Sequence, residues 1–409
     1  VAEQISELPK VPRGLRLGAV RAGIKASGNI DLCAAVAENA MSAAAAFTSN
    51  QLVAAPVTID GEHLTATGGC TRVVLVNAGN ANCATGEIGL AACRDTCKAA
   101  AATFGCESEQ VFPSSTGIIG VPLPADKLIA ALPALHASLG STDEHVRLFS
   151  QAIMTTDTRP KIAGTTLQFP AGEVRLLGFA KGAGMIHPQL VPHATMLVYI
   201  FTDLDALPAT LRELLWPAAD ASFNCISIDG DTSTNDTVFL GATGASDVRW
   251  VELNSGQRDE FARALQAVCH SLALKIVGDG EGVRHVIEID ITSARTRDEA
   301  RTIAKALAHS PLVKTAWAGE DPNWGRLVST IGASPVKIDT QRLQLSYGPH
   351  AIFRDGQRAP EFDAAAVHRY LEQPSYQLHV DLGLGDASCK FWTTDLTAEY
   401  VRINADYST

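Results

Sequence analysis

Ala194-Thr195 stands where a Gly/Pro-broken loop, KGAGMIHPQLVPH (181–193), meets a β-branched and aromatic run that ends at Thr202. A threonine hydroxyl is a poor nucleophile unless a base lies beside it. Cutting the bond before the threonine supplies that base, because the freed α-amine belongs to the same residue. Such an amine has a pKa of about 7.7–8 and can take the hydroxyl proton near neutral pH. The chemistry asks for a small residue before the threonine, a strained loop upstream and a rigid strand downstream. On these residues alone a second reading stands beside it, since a threonine that opens a strand more often serves β-branched packing.

Other local signatures are missing. The chain holds no GxSxG, HExxH, GxxxxGK[ST] or GxGxxG. His187 and His193 are six apart across two prolines, which is not a metal-ligand spacing, and no metal is expected. GDGEG (278–282) follows a helical stretch rather than a strand, so its glycines read as a helix C-cap and not as a phosphate loop. Lys181 and Glu281, taken singly, read as a surface charge and a solvated helix-end residue.

The elements that must position the threonine are legible from periodicity. RVVLVNAGNANCATG (72–86) is a buried strand and a tight loop, and Ile88–Thr103 is an Ala-rich helix. QVFPSSTGIIG (110–120) is a strand followed by a small-residue turn. Ala125–Leu139 is helical, 154–161 is a loop, and Thr165–Phe179 is a hairpin. Thr195–Thr202 is a buried strand. A helix begins at Pro208 and stops at Pro217. Cys225–Ile228 reads as a short strand, and the polar GDTSTND (230–236) follows it. Asn254 with Gln257 predicts a capping box for a long helix whose buried face is Phe261, Leu265, Val268 and Leu272. Beyond 284 the texture changes. Ile287, Ile289 and Ile291 alternate with Glu288 and Asp290, Thr296 opens a helix to about His309, and further strands are expected near 312–317, 335–346 and 376–382. These features predict an α/β protein in three parts: a catalytic unit over 1–284, a smaller α/β domain of mixed or antiparallel sheet over 285–385, and a segment 386–409 that returns to the active site.

Composition bounds the partners. The 409 residues are 46% hydrophobic and 19% charged, enough for a large core and inconsistent with wholesale disorder. A formal net charge of −11, with no Lys/Arg stripe, argues against nucleic acid. No apolar run approaches the roughly 20 residues of a membrane span. Nine scattered cysteines without a CxxC read as reduced thiols, which favours a cytoplasmic setting, or an organelle matrix if a leader has been removed.

Read together, KGAGM…HATML (181–197), SSTGIIG (114–120), MTTDT (154–158), KIVGDGEG (275–282), GEDPNWGR (319–326) and EYVRINADYST (399–409) occur in one order that resembles the ornithine acetyltransferase family. The resemblance runs nearly end to end, from AGIK (22–25) through FTSN and AAPV (47–57). It implies a layered α/β fold of the N-terminal-nucleophile type, cleaved between Ala194 and Thr195. It also implies an N-acetyltransferase that moves acetyl from N2-acetylornithine to glutamate through an acetyl-threonine, with no metal or bound cofactor. Some members also use acetyl-CoA as donor. Thr195 matches the nucleophile. Thr116 and Gly117 match an oxyanion hole. Thr156, Lys181, Glu281, Asn404 and Thr409, with Thr195, match substrate contacts; Thr156 is preferred over Thr155 or Thr158. The family suggests two copies of each fragment. The stretch Gln189–His193 is about three residues longer than the family leads one to expect, which bears on cleavage rather than on the identity of the nucleophile. The alternative reading is a self-cleaving aminopeptidase or amidase with the same threonine. An uncut amino-acid-binding protein is a third.

Overall fold

The computed structural model describes residues 8–188 and 196–406. In chain order the strands are β1 (Leu15–Val20), β2 (Leu32–Phe47), β3 (Cys70–Asn80), β4 (Val111–Ile118), β5 (Lys161–Phe169), β6 (Gly172–Lys181), β7 (Leu197–Thr202), β8 (Ile226–Ser227), β9 (Thr237–Ala242), β10 (Val286–Ala294), β11 (Gln344–Tyr347), β12 (His350–Arg354), β13 (Gln357–Arg358), β14 (Ser375–Asp381) and β15 (Ala387–Thr394). The helices are α1 (Ala55–Ala66), α2 (Gly86–Phe104), α3 (Ala125–Ala137), α4 (Asp143–Ala152), α5 (Pro208–Asp220), α6 (Ser255–Val277), α7 (Arg297–His309), α8 (Pro311–Ala318), α9 (Trp324–Ala333), α10 (Ala364–Leu371) and α11 (Ala398–Asp406).

The first sheet runs β4-β3-β2-β9-β7-β6-β5, with β1 also on β2. It bends because β2 is long and irregular. The first half of β2 pairs with β1 and β3, its second half pairs with β9, and the register slips between Val36 and Met41. The two halves therefore face each other. Phe112 of β4 meets Phe239 of β9 with ring centroids 4.8 Å apart. Side-chain alternation then sorts the core into layers. Leu32 and Ala34 of β2, with Val73 and Leu75 of β3, pack outward under α2 and α3. Cys33, Ala35, Val74 and Val76 point inward to Tyr199, Phe201 and Phe239. Val198, Ile200, Val238 and Leu240 point the other way, to Leu211 and Leu215 of α5 and Phe261, Leu265 and Leu272 of α6. The order is helices, half-sheet, half-sheet, helices, the layered α/β fold the sequence implies.

The second sheet runs β13-β12-β11-β14-β10-β15-β8 and shares an apolar cluster with α5 and α6. Its inward residues Ile287, Ile289 and Ile291 are fully buried. The expected three-part division is crossed twice by this sheet. β15 pairs with β10 along most of its length, so 387–394 belongs to the second sheet and the returning segment is α11. β8 contributes 226–227 to the same sheet from within the first unit.

Three local expectations are corrected. Residues 312–317 form α8, not a strand: Ser310 caps it by accepting from the Val313 amide, Pro311 fills its first position, and Val313, Ala316 and Trp317 bury one helical face. The strand expected at 335–346 is confined to β11. Finally, α5 passes through Pro217 to Asp220. The proline removes one N–H, but Ala218 and Ala219 beyond it are buried and hold the last turn against the core. The Asn254/Gln257 capping box is formed on both sides. No helix among the described residues is long and apolar enough to cross a membrane.

Candidate active site

One edge of the first sheet gathers several strand ends. β3, β4 and β6 finish there, at Asn80, Ile118 and Lys181, and β7 and β9 begin there. Register makes the convergence tight. Lys181 pairs with Leu197, and Leu197 with Thr237, so the end of β6 and the starts of β7 and β9 lie side by side. The Thr237 amide donates to the Met196 carbonyl at 2.7 Å, which carries this order one residue beyond the sheet. Ala194, Thr195 and Thr409, together with the longer stretch 189–193, lie outside the described residues.

A cavity of about 260 Å³ opens at this edge. Thr116, Gly117, Thr156, Lys181, Glu281 and Asn404 all line it, and so does Met196, the residue after the expected nucleophile. The reading of Lys181 as a surface charge is wrong: it is 9% exposed. Its Nζ donates to Thr116 Oγ1 at 3.2 Å. The hydroxyl accepts that bond and keeps its own proton free to donate. Gly117 has φ +134°, and a Cβ there would lie 2.3 Å from the Gly79 carbonyl carbon. Only glycine fits between β4 and β3 at this point.

The loops that bring Thr156 and Glu281 to the cavity are held by a buried cation. Lys161 Nζ bonds Asp157 Oδ1 in MTTDT and Asp279 Oδ2, at 2.6 Å, in GDGEG. Asp157 Oδ1 also accepts the Gly182 amide at 2.7 Å, and Asp279 accepts the Thr158 amide and hydroxyl. Thr158 is thus spent on Asp279, while Thr155 and Thr156 both reach the cavity. The Glu281 amide donates to the Ala183 carbonyl at 2.9 Å. Gly184 leaves room for the Glu281 carboxylate, which a Cβ would approach to 2.5 Å. From the other side Asn404 Nδ2 of α11 donates to Glu281 Oε2 at 2.8 Å.

Sequence reasoning missed the acidic floor. Asp229, Asp231 and Asp236 line the cavity, as do Asn235 and Tyr400. Asp229 accepts the amides of Met185 and Ile186 at 2.6 and 2.8 Å and the Tyr400 hydroxyl at 3.3 Å, which fixes the loop that leads toward residue 194. Asn235 Nδ2 donates to the carbonyls of Ala81 and Ser115, tying this loop to β4. The FTSN stretch clamps it too, through Thr48 to the Ser233 carbonyl and Asn50 to that of Thr232. The available signal was DGDTSTND, eight polar or small residues between two apolar strands.

The charges perturb one another. Burial pushes the Lys181 ammonium below the ordinary lysine range, opposed by Asp157, Asp236 and Glu281. Burial alone would raise the Asp157 carboxyl, but Lys181, Lys161 and the Gly182 amide outweigh it and bring it down to about 2. Burial raises Asp229, in spite of the amides it accepts. Among the described residues no group of three or more His, Cys, Asp or Glu is arranged to hold a metal ion. His187 instead packs edge-on against His309, ring centroids 4.2 Å apart. The arrangement offers one cation, several carboxylates and neutral donors around a strand start, which suits an amino-acid substrate.

Residues 16–409 match the model of the ArgJ family. The chain is similar to the arginine biosynthesis bifunctional protein ArgJ of Methylococcus capsulatus, 42% identical over 397 residues, 97% of this chain and 95% of that one. It is also similar to the ArgJ protein of Rhizobium meliloti, 40% identical over 406 residues, covering 98% and 96%. A solved structure of the Mycobacterium tuberculosis ornithine acetyltransferase, complexed with ornithine, is 35% identical over 44% of this chain and 95% of that chain, with a TM-score of 0.39.

Proposed function

The chain belongs to the ArgJ family and is an N-acetyltransferase of arginine biosynthesis, and from that premise we propose that Thr195, freed by cleavage after Ala194, carries the acetyl group from N2-acetylornithine to glutamate. The Thr195 α-amine takes the proton from its own Oγ as Oγ attacks the acetyl carbonyl. The developing oxyanion sits between the Thr116 hydroxyl and the Gly117 N–H. Lys181, donating to Thr116 Oγ1, polarises that hydroxyl. The amine then returns the proton to the departing nitrogen and ornithine leaves. Glutamate's amine attacks the acetyl-threonine ester by the reverse sequence. Thr156, Lys181, Glu281 and Asn404 hold the amino-acid portion, and Thr409 joins them from the C-terminal segment. No metal or bound organic cofactor takes part, and acetyl-CoA is a second donor for the same ester. The fragments assemble as two of each, and the enzyme works in the cytoplasm.

The observation that supports this reading is the convergence of Thr116, Gly117, Lys181, Glu281 and Asn404 with Met196 at one cavity. An amidase would use the same groups with water as acceptor, and near full-length relatedness to ArgJ proteins favours transfer. Denaturing electrophoresis should give two bands, with a new N-terminus TMLVYIF. Mixing the purified enzyme with N-acetylornithine alone should leave acetyl on the Thr195 fragment, discharged much faster by glutamate than by water. A single band, or discharge by water at the same rate, overturns the proposal.

A further inference from the structure

A second cavity, of about 470 Å³, lies between the loop that joins β1 to β2 and the MTTDT loop that follows α4. Thr155 lines both this cavity and the first, so the MTTDT loop is a wall common to the two. The cavities differ in charge. The carboxylates of Asp229, Asp231, Asp236 and Glu281 and the single ammonium of Lys181 line the first. Arg21, Lys25 and Asp157 are the charged groups of the second. Asp157 is matched by Lys161 and also accepts the amides of Gly182 and Thr155. Arg21 is exposed and has no ion-pair partner among the described residues. Lys25 Nζ donates to the carbonyls of Ile30 at 2.8 Å and Ala152 at 3.2 Å, which uses two of its three protons. The AGIK stretch that carries Lys25 is held from below. Asp31, fully buried, accepts the amides of Ala22, Ile24 and Lys25 at 2.6, 2.5 and 2.9 Å. A Cβ on Gly79 would lie 3.2 Å from both Ile24 Cγ2 and Lys25 Cγ. Gly79 pairs with Gly117 across β3 and β4, so AGIK packs against the strand end beside the expected oxyanion hole.

We propose that this second cavity is the side-chain subsite of the acetyl acceptor, in which Arg21 and Lys25 take the side-chain carboxylate of glutamate. The inference rests on the transfer reaction proposed above. The two amino acids of that reaction carry the same groups at Cα and differ in charge at the far end of the side chain, ammonium in ornithine and carboxylate in glutamate. The acidic first cavity suits the ammonium. A carboxylate turned the same way would meet like charges, and such a juxtaposition is costly. Across Thr155 it meets the guanidinium of Arg21, whose planar fork can bind a carboxylate through two parallel bonds, and the remaining proton of Lys25. Donor and acceptor thus present their common end to the same nucleophile and send their side chains to opposite sides of the MTTDT loop.

The test loads the full-length enzyme with acetyl from N-acetylornithine and follows the mass of the Thr195 fragment as the ester is discharged by glutamate or by its neutral analogue, glutamine. Wild type should reach half-maximal discharge at a lower concentration of glutamate than of glutamine. Arg21→Gln should reduce that preference about tenfold, the loss of a hydrogen bond between charged groups. Arg21→Lys, which keeps the charge, should recover most of it. Lys25→Gln should reduce the preference as well. The ratio separates recognition from a displaced loop, which would slow both acceptors alike. Loading with equal use of glutamate and glutamine in wild type, a measurement that needs no variant, overturns the subsite alone. An equal loss for both acceptors in Arg21→Gln overturns it too. A wild-type enzyme that takes no acetyl from N-acetylornithine overturns the transfer reaction itself, and the subsite with it.

Discussion

Lys181 Nζ donates to Thr116 Oγ1 at 3.2 Å, so the cation at the end of β6 and the hydroxyl near the end of β4 act as one unit although 65 residues separate them. Their strands are not neighbours in the sheet. The bend in β2 lets the two half-sheets bring them to the same cavity.

The first prediction concerns that hydroxyl. Thr116→Ala should lower kcat by about 10²–10³, roughly 2.7–4 kcal/mol, with a modest change in KM, because an oxyanion donor acts on charge that develops in the transition state. Thr116→Ser, which keeps the hydroxyl, should recover most of the loss. Steady-state acetyl transfer reads both numbers. A rise in KM alone would reassign Thr116 to substrate binding.

The nucleophile's amine should govern the pH profile. It must be neutral to take the Oγ proton, so kcat/KM should rise with pH through one ionisation, starting from a reference near 7.7–8. A neighbouring cation disfavours a second positive charge and a neighbouring carboxylate favours it. Lys181→Met should therefore move the limb to higher pH and Glu281→Gln to lower pH. Single-turnover acetylation by N-acetylornithine between pH 6 and 10 is the measurement, and a limb that stays in place in both variants removes both charges from the vicinity of the amine.

Closure by the C-terminal helix should appear in KM. Asn404 of α11 holds Glu281 Oε2 at 2.8 Å, and Thr397 holds the Gly282 carbonyl at 2.7 Å. One such bond is worth about 1 kcal/mol, so Asn404→Ala should raise KM about fivefold and change kcat little. A drop in kcat at unchanged KM would place Asn404 in the chemical step instead.

The buried staple should set acid stability. Asp157 has its carboxyl lowered from 3.8 to about 2, so its contribution is fully present above the unfolded pKa and is lost as pH falls from about 4 toward 2. The difference corresponds to about 2 kcal/mol. Urea unfolding at steps across this window should show a steeper fall in wild type than in Asp157→Asn. Lys161→Met should cost about 3–5 kcal/mol at neutral pH, since it removes the buried cation that Asp157 and Asp279 share. The triple variant Asp157→Asn, Lys161→Met, Asp279→Asn should be less destabilised than Lys161→Met. If the single variant were as stable as wild type, the staple would not hold the two loops.

Local pattern alone determined a good deal. Strands β3, β4, β7 and β10 follow from apolar runs and alternation, and the start of α6 from Asn254 and Gln257, because these features are decided within a few residues. The motif order, read as a family resemblance, named six of the residues that line the first cavity, Thr116, Gly117, Thr156, Lys181, Glu281 and Asn404. It could not say that Lys181 is buried, because one residue's exposure depends on strands β4 and β9 far away in the chain. Nor could it find Asp229 or the Lys161 bridge between Asp157 and Asp279, since a charge in a polar loop looks solvated until the layers close over it. The same limit misplaced 312–317, where a short apolar run is compatible with helix or strand until Trp317 is seen to pack with one helical face inward. The sequence determined which groups are present and most of the elements that carry them. The tertiary structure decided which groups meet, because the bend in β2 and the shared ends of β3, β4 and β6 depend on register across the whole sheet.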